Sequence, residues 1–338
     1  MSRAPLAVIF GTPGTVLTGD QRAFFRETDP LGLILFKRNC ETPDQVRRLC
    51  EEFREAVGRH DAPILIDHEG GTHQRMDPPV WPAFPAPARF GELYARDPAR
   101  ALVAARLNGR AIGTLLWQHG VSIDCAPLLD VPVAGADPVI GDRAFSGDPE
   151  QVALLADAFV EGMKLSGVTP IIKHIPGHGR ATVDSHKELP TVDVPMAELD
   201  KTDFVPFRHL ATAPWAMVAH IVFPEVDAAR PATVSPLVLD QLIRGRLGFK
   251  GVLISDCIYM DALGGSLPER CRAVLAAGMD IALSSHGDVE EWQGIAAAAR
   301  PLTEASLARL ARHAVPAPAE PLLDVAEAVR EITRQLAA

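Results

Sequence analysis

The chain has 338 residues, 47% hydrophobic and 22% charged, so it carries enough apolar side chains for a sizeable core and is not expected to be disordered. Its formal net charge of −10, and a sequence without a block of Lys and Arg residues, argue against a nucleic-acid partner. The length exceeds that of most single domains but suits an α/β barrel, so we predict one catalytic domain over residues 1–338.

The N-terminal segment and the cysteines predict the compartment. The first apolar run, residues 6–10, is too short for the apolar region of a signal peptide and far too short to span a bilayer. The five cysteines are widely spaced and form no CxxC pair, which is typical of reduced thiols. We therefore expect a cytoplasmic protein with no membrane contact.

Short β-rich runs recur along the chain, and most of them precede a stretch with helical periodicity. Predicted helices begin at Thr42, Asp97, Asp148 and Ser235, each a capping residue followed by Pro. This alternation predicts a single parallel (β/α)8 barrel of the TIM type rather than an open doubly wound sheet. The eight predicted strands are residues 6–10, 31–36, 62–67, 121–127, 168–174, 215–222, 250–256 and 279–285.

Two Pro-rich segments interrupt this pattern. Residues 76–91 hold too many prolines for a strand or a helix interior, which indicates a long loop that lies over the barrel mouth and shapes a pocket. Near the C-terminus a Pro-rich linker precedes an amphipathic stretch at about 318–338, which we expect to be a helix packed on the barrel.

Ionisable residues end several of the predicted strands. Asp67 ends the third, Lys173 and His174 the fifth, His220 lies near the end of the sixth, and Asp256 ends the seventh. Any one of them could be a cap or a turn residue, and the EGG that follows Asp67 is interpreted as a turn. Their repetition favours a polar site at the carboxyl ends of the strands, where barrel enzymes carry out their chemistry.

The segment KHIPGHGRATVDSH, which contains the end of the fifth strand, allows three interpretations. A metal site would use His174, His178, Asp184 and His186, but their spacing matches no common metal motif, so no metal is expected. A solvated loop is disfavoured because PGHG is stiff and follows an apolar strand. In the third interpretation, Asp184 and His186 point the same way in an extended loop and form an acid/base pair, with Asp256 as nucleophile.

The motifs DHEGGTHQR, DPVIGDRAF, KHIPGHGRATVDSH, AHIVFPEVD, RPATVSPLVLDQLIRGRLGFKGVLISD and AAGMDIAL occur in the order and approximate spacing of glycoside hydrolase family 3. Over roughly residues 5–285 the chain resembles the single-domain bacterial β-N-acetylglucosaminidases of that family. The resemblance implies a retaining exo-enzyme that removes terminal non-reducing N-acetylglucosamine from small carbohydrates such as peptidoglycan fragments. It also implies a monomer that needs no cofactor.

The resemblance also implies a role for each site residue. Asp256 would be the nucleophile that forms a covalent glycosyl-enzyme, and His186, assisted by Asp184, the general acid/base. This histidine would replace the second carboxylate that retaining glycosidases usually place about 5 Å from the first. The residues that would bind the sugar are Asp67, Arg75, Arg143, Lys173 and His174.

The chain departs from the family pattern near the pocket. Cys257, Ile258 and Tyr259 follow Asp256 where the family has a small or acidic residue before LxM, His73 replaces a Val, and SSHGD follows the eighth strand. These departures leave the substrate preference open.

Three alternatives to this function follow from the sequence. One is a family 3 β-glucosidase or a broader exo-glycosidase. Another is a phosphorylase, because a histidine acid/base is uncharged after the first step and would not repel phosphate. The third is a non-catalytic sugar-binding protein, against which the presence of both a nucleophile and an acid/base pair argues.

Overall fold

All eight predicted strands are present in the computed structural model, which describes residues 4–314, 317, 318 and 320–337. They are β1 (Leu6–Gly11), β2 (Pro30–Leu35), β3 (Ile64–Ile66), β4 (Ile123–Asp124), β5 (Thr169–Ile175), β6 (Trp215–Val218), β7 (Val252–Cys257) and β8 (Ile281–Ser284). Each strand pairs in parallel with the next, and β8 pairs with β1 to close the barrel. The predicted fold class is confirmed.

Helices surround the barrel. They are α1 (Gly19–Thr28), α2 (Pro43–Val57), α3 (Ala88–Tyr94), α4 (Pro98–Gln118), α5 (Pro149–Leu165), α6 (Met196–Leu199), α7 (Phe204–His209), α8 (Pro224–Asp227), α9 (Leu267–Ala277), α10 (Val289–Ala298), α11 (Glu304–Arg312) and α12 (Val325–Ala337). Within the described ranges, no helix is both long and apolar enough to cross a membrane.

The predicted helix starts are confirmed at Thr42, Asp97 and Asp148. Each side chain accepts a hydrogen bond from a backbone N–H of the first turn, and each is followed by Pro in that turn. The hydroxyl of Ser235 also accepts a hydrogen bond, from the N–H of Val238 at 3.2 Å. The helix that follows differs from the prediction, because residues Val238–Arg246 adopt the wider π form.

The Pro-rich segment 76–91 lies between β3 and α3 in the chain and includes the first residues of α3. The structure describes the whole segment, and no residue of it lines the cavity at the carboxyl ends of the barrel strands. The prediction of a pocket-shaping loop is therefore wrong. The segment instead packs against the turn after β3. A Cβ on Gly70, whose φ is +92°, would lie 2.5 Å from the carbonyl oxygen of Pro85, so this close approach requires glycine.

The helix at the C-terminus packs on the outside of the barrel. Helix α12 contacts α3 and α4, and it buries Ala328, Ile332 and Leu336, which recur on one helical face. The last helix is therefore packed on α3 and α4, the two helices that follow β3 in the chain.

Candidate active site

A cavity of about 250 Å³ lies at the carboxyl ends of the barrel strands. Seven of the eight predicted site residues line it: Asp67, Arg75, Arg143, Lys173, His174, His186 and Asp256. The eighth, Asp184, contacts His186. The fold therefore brings residues from five separate parts of the sequence to the place where barrel enzymes carry their active sites.

Two carboxylates and three cations form an ion network on one side of the cavity. Lys173 Nζ lies 2.8 Å from Asp67 Oδ1 and 2.6 Å from Glu69 Oε1. Arg143 donates two hydrogen bonds of 2.8 Å to the two carboxylate oxygens of Glu69. Arg75 reaches Asp67 through Nη2 only at 3.4 Å, and its Nη1 makes no hydrogen bond within the described ranges. Arg75 therefore keeps donor capacity for a ligand.

Mutual attraction keeps this network charged despite its burial. Burial alone would raise the pKa of Glu69, but Lys173 and Arg143 hold the pKa of this carboxyl well below its ordinary value. Burial would lower the pKa of Lys173, whereas Asp67 and Glu69 hold it well above its ordinary value. All these groups are charged at neutral pH, so the network offers charged donors and acceptors to the hydroxyl groups of a ligand.

At the ends of β5 and β7, irregular strand pairing directs the side chains of two consecutive residues into the cavity. Neighbouring side chains of a regular strand point to opposite faces. Here Lys173 and His174 both line the cavity, as do Asp256 and Cys257. The register shifts at the end of β5 opposite β6 and at the end of β7 opposite β8. Such bulges re-aim side chains, which explains how each strand supplies two residues in succession.

Asp130, which follows β4, fixes the orientation of His174. Its Oδ2 lies 2.7 Å from Nδ1 of His174, and its Oδ1 accepts the backbone N–H of His178 at 2.6 Å. Burial would raise the pKa of Asp130, but His174 and His178 hold it below its ordinary value. The carboxylate therefore accepts a hydrogen bond from Nδ1–H of His174, and Nε2 of the same ring is left to contact a ligand.

Asp256 is an ionised carboxylate with one oxygen held in place. Its Oδ1 accepts the backbone N–H of Cys257 at 2.7 Å, and its Oδ2 has no hydrogen-bond partner in the part of the chain that the structure describes. Burial would raise the pKa of Asp256, but His174, His220 and the Cys257 N–H together hold it below its ordinary value. An ionised carboxylate with a free oxygen can act as a nucleophile.

Asp184 and His186 form the predicted pair, but in a turn. Asp184 Oδ1 lies 2.8 Å from Nδ1 of His186 and also accepts its backbone N–H at 3.0 Å. The carbonyl of Asp184 accepts the N–H of Lys187, so the expectation of an extended loop is wrong. Asp favours this geometry because its side chain can accept the N–H two residues ahead.

The pair leaves the other ring nitrogen of His186 accessible. The His186 side chain is 64% exposed, whereas that of Asp184 is 16% exposed. Burial would raise the pKa of Asp184, but the two hydrogen bonds from His186 hold it below its ordinary value. An ionised Asp184 therefore orients the imidazole, and Nε2 is free to exchange a proton with a ligand.

The loop that carries His186 is anchored next to it. Nε2 of the buried His178 lies 3.0 Å from Oγ of Ser185, and the Nε of Arg180 donates to Asp203 at 2.7 Å. These contacts hold the base of the loop against the barrel. The acid/base candidate itself, His186, stays exposed on the cavity side.

Sequence reasoning did not identify Glu69 and Asp130 as parts of this site. Glu69 lies in the EGG stretch, for which the sequence predicts only a turn, yet it is the carboxylate that neutralises Lys173 and Arg143. A signal was available, because the predicted sugar-binding set holds three cations and only one carboxylate, and a buried excess of charge requires a partner.

No group of three or more His, Cys, Asp or Glu side chains that could hold a metal ion occurs among the described residues. The histidines of the KHIPGHGRATVDSH segment have other partners. His174 pairs with Asp130, His178 with Ser185, and His186 with Asp184.

The cavity of this closed (β/α)8 barrel thus holds an ionised carboxylate with a free oxygen and an imidazole oriented by a second carboxylate. Residues 20–315 match the glycosyl hydrolase family 3 N terminal domain. That match covers most of the chain, so the chain belongs to glycosyl hydrolase family 3, as its motifs predicted.

Relatives of known name agree with this assignment. A beta-hexosaminidase of Thiobacillus denitrificans is 40% identical over 291 residues, which are 84% of this chain and 78% of that protein. NagZ from Neisseria gonorrhoeae, solved in complex with N-trifluoroacetyl-D-glucosamine, is 30% identical with a TM-score of 0.85, covering 99% of this chain and 97% of that one. A family 3 beta-N-acetylglucosaminidase from Paenibacillus is 31% identical with a TM-score of 0.86, covering 97% and 67%.

Proposed function

We propose that this protein is a retaining exo-β-N-acetylglucosaminidase that removes terminal non-reducing β-linked N-acetylglucosamine. The observation that carries the proposal is that Asp256 and His186 line one cavity, together with the ion network of Asp67, Glu69 and Lys173. The beta-hexosaminidase names of the relatives and the N-acylated sugar bound to the Neisseria NagZ support the substrate class.

In the first step, Oδ2 of Asp256 attacks the anomeric carbon of the bound sugar. Nε2–H of the protonated His186 transfers its proton to the glycosidic oxygen as the bond from that oxygen to the anomeric carbon breaks. The leaving group departs as an alcohol, the sugar is esterified to Asp256, and His186 becomes neutral. The carboxylate of Asp184 holds Nδ1–H throughout, so the exchange occurs at Nε2.

In the second step, water replaces the leaving group. Neutral His186 takes a proton from the water molecule through Nε2, and the water oxygen attacks the anomeric carbon. The ester bond to Asp256 breaks, which regenerates the carboxylate and the protonated imidazole. Two successive inversions give net retention of the β configuration. Asp67, Arg75, Arg143, Lys173 and His174 are proposed to position the sugar hydroxyl groups during both steps.

The first experiment compares hydrolysis of a chromogenic β-N-acetylglucosaminide with that of the matching β-glucoside. The wild type is expected to cleave the N-acetyl substrate preferentially, and Asp256→Ala and His186→Ala are expected to lose most of that activity. Preference for the glucoside would favour the β-glucosidase alternative. Acceleration by phosphate with release of a sugar phosphate would favour a phosphorylase. Sugar binding without any turnover would favour a binding protein.

We further propose that the physiological substrates are peptidoglycan fragments processed in the cytoplasm, and that residues 1–338 act as one monomeric catalytic domain. The support for this is the resemblance to the peptidoglycan-trimming branch of the family. Release of N-acetylglucosamine from soluble peptidoglycan fragments by the full chain, with gel filtration of the active species, tests these points. Cleavage of chitin fragments alone would contradict the substrate assignment.

A further inference from the structure

Three neighbouring rings line one side of the cavity, and none of them takes part in the proposed chemistry. Phe36 follows β2, Tyr259 follows β7 and His286 follows β8. The His286 ring stacks on Phe36 with centroids 5.9 Å apart and planes 29° from parallel, and its centroid is 5.7 Å from that of Tyr259. Phe36 and Tyr259 are partly buried and His286 is exposed, and all three side chains line the cavity that also contains Asp256 and His186.

Surrounding contacts hold the ring wall in shape. Nδ1 of His286 lies 2.6 Å from Oγ of Ser285, and the backbone carbonyl of His286 accepts the indole N–H of Trp292 at 2.9 Å. The guanidinium of Arg38 lies 4.7 Å from the centre of the Phe36 ring. The wall is therefore preorganised, and little ordering of side chains opposes the binding of a ligand.

The ring wall lies close to the two groups that act on the scissile bond. Tyr259 is three residues after Asp256, at the same end of β7. Burial lowers the pKa of His286, and the charges of Arg38 and His186 lower it further, so its imidazole is neutral near pH 7 and offers an apolar face. His186 also contributes to the lowered pKa of Asp256, so His186 lies close enough to both Asp256 and His286 to influence their pKa values.

We propose that the ring wall of Phe36, Tyr259 and His286 is the subsite for the leaving group, and that it stacks on the flat face of a pyranose or aryl ring. The inference rests on the proposed function, because a sugar esterified to Asp256 and protonated from His186 must release its leaving group beside these residues. Tyr259 and His286 belong to the two stretches in which the chain departs from the family pattern. They therefore determine which leaving groups the enzyme prefers, whereas the ion network does not.

The test compares a leaving group with a ring to one without. Values of kcat/KM are measured for N,N′-diacetylchitobiose and for methyl β-N-acetylglucosaminide, and the ratio of the two is compared among variants, so that intrinsic leaving-group reactivity cancels. Tyr259→Leu and His286→Ala should each lower this ratio about 5- to 10-fold, which corresponds to about 1.0–1.4 kcal/mol. Tyr259→Phe keeps the ring and should keep the ratio.

Tyr94→Leu is the matched control, because Tyr94 is the other of the two tyrosines in the chain and lies on α3, outside the lining of the cavity. It should leave the ratio unchanged, and thermal unfolding confirms that each variant is folded. If Tyr259→Leu and His286→Ala each hydrolyse the two substrates with the wild-type ratio of kcat/KM values, the subsite is overturned and the proposed function stands. Failure of the wild type on these and on chromogenic N-acetylglucosaminides would overturn the proposed function and the subsite together.

Discussion

Glu69 provides a direct test of whether the buried ion network stabilises the fold. Its side chain is 1% exposed and lies 2.8 Å from Arg143 and 2.6 Å from Lys173. The substitution Glu69→Gln keeps the shape of the side chain and removes its charge. Lys173 would then have Asp67 as its ionic partner, and the buried guanidinium of Arg143 would lose its carboxylate.

The expected loss of stability follows from this geometry. Removing one partner of a buried ion pair costs about 3–5 kcal/mol, because the other charge stays buried without compensation. A chain of this length unfolds with an entropy of about 0.7 kcal/mol/K near its Tm, so Tm should fall by about 4–7 °C. The lower end of that range is expected, because Asp67 still pairs with Lys173.

Differential scanning calorimetry of the purified variants measures this change. The matched control is Glu161→Gln, since Glu161 is 60% exposed and lies 3.7 Å from Arg106, and exposed pairs contribute little to stability. Its Tm should equal that of the wild type. If Glu69→Gln and Glu161→Gln unfold at the same temperature, the network does not stabilise the fold and the reasoning is refuted.

Three further predictions concern catalysis. Because the pKa of Asp256 is held below its ordinary value, the acid limb of the kcat/KM profile of folded enzyme should lie below the ordinary pKa of an aspartate, and a limb above that value would contradict its role. Asp184→Asn removes a charged acceptor from His186 and should lower kcat/KM about 10- to 100-fold for unactivated substrates; an unchanged rate would contradict the pair. Ser185→Ala frees His178 and should lower kcat/KM about 2- to 10-fold with a disaccharide but less with a dinitrophenyl glycoside, which needs no acid; equal losses would point to a general defect.

The fold was predictable because each barrel unit carries its own local signals. Parallel strands buried on both faces read as short apolar runs, and the helices after them begin with a capping residue and Pro, as at Thr42 and Asp148. The short strand β4, Ile123–Asp124, is also predictable, because the apolar run that contains it is longer than the part that pairs with neighbouring strands. The π form of the helix Val238–Arg246 has no such local signal.

The site was predictable in its residues and less so in its geometry. The spacing of Asp184 and His186 predicted a pair, but the pair forms through a turn that the Asp side chain itself favours. The role of Glu69 depends on which cations the barrel brings to it, and those come from the ends of other strands. The ring wall likewise combines residues that follow β2, β7 and β8, and their proximity depends on closure of the barrel.

The covalent ester on Asp256 is the central claim, and trapping it is the most direct test. In His186→Ala, a dinitrophenyl β-N-acetylglucosaminide should form the ester, because this leaving group needs no acid, while attack by water lacks its base. Mass spectrometry of the quenched protein should show one added N-acetylglucosaminyl group on the peptide that contains Asp256. An adduct on another residue, or turnover that releases the inverted α-anomer, would contradict the mechanism.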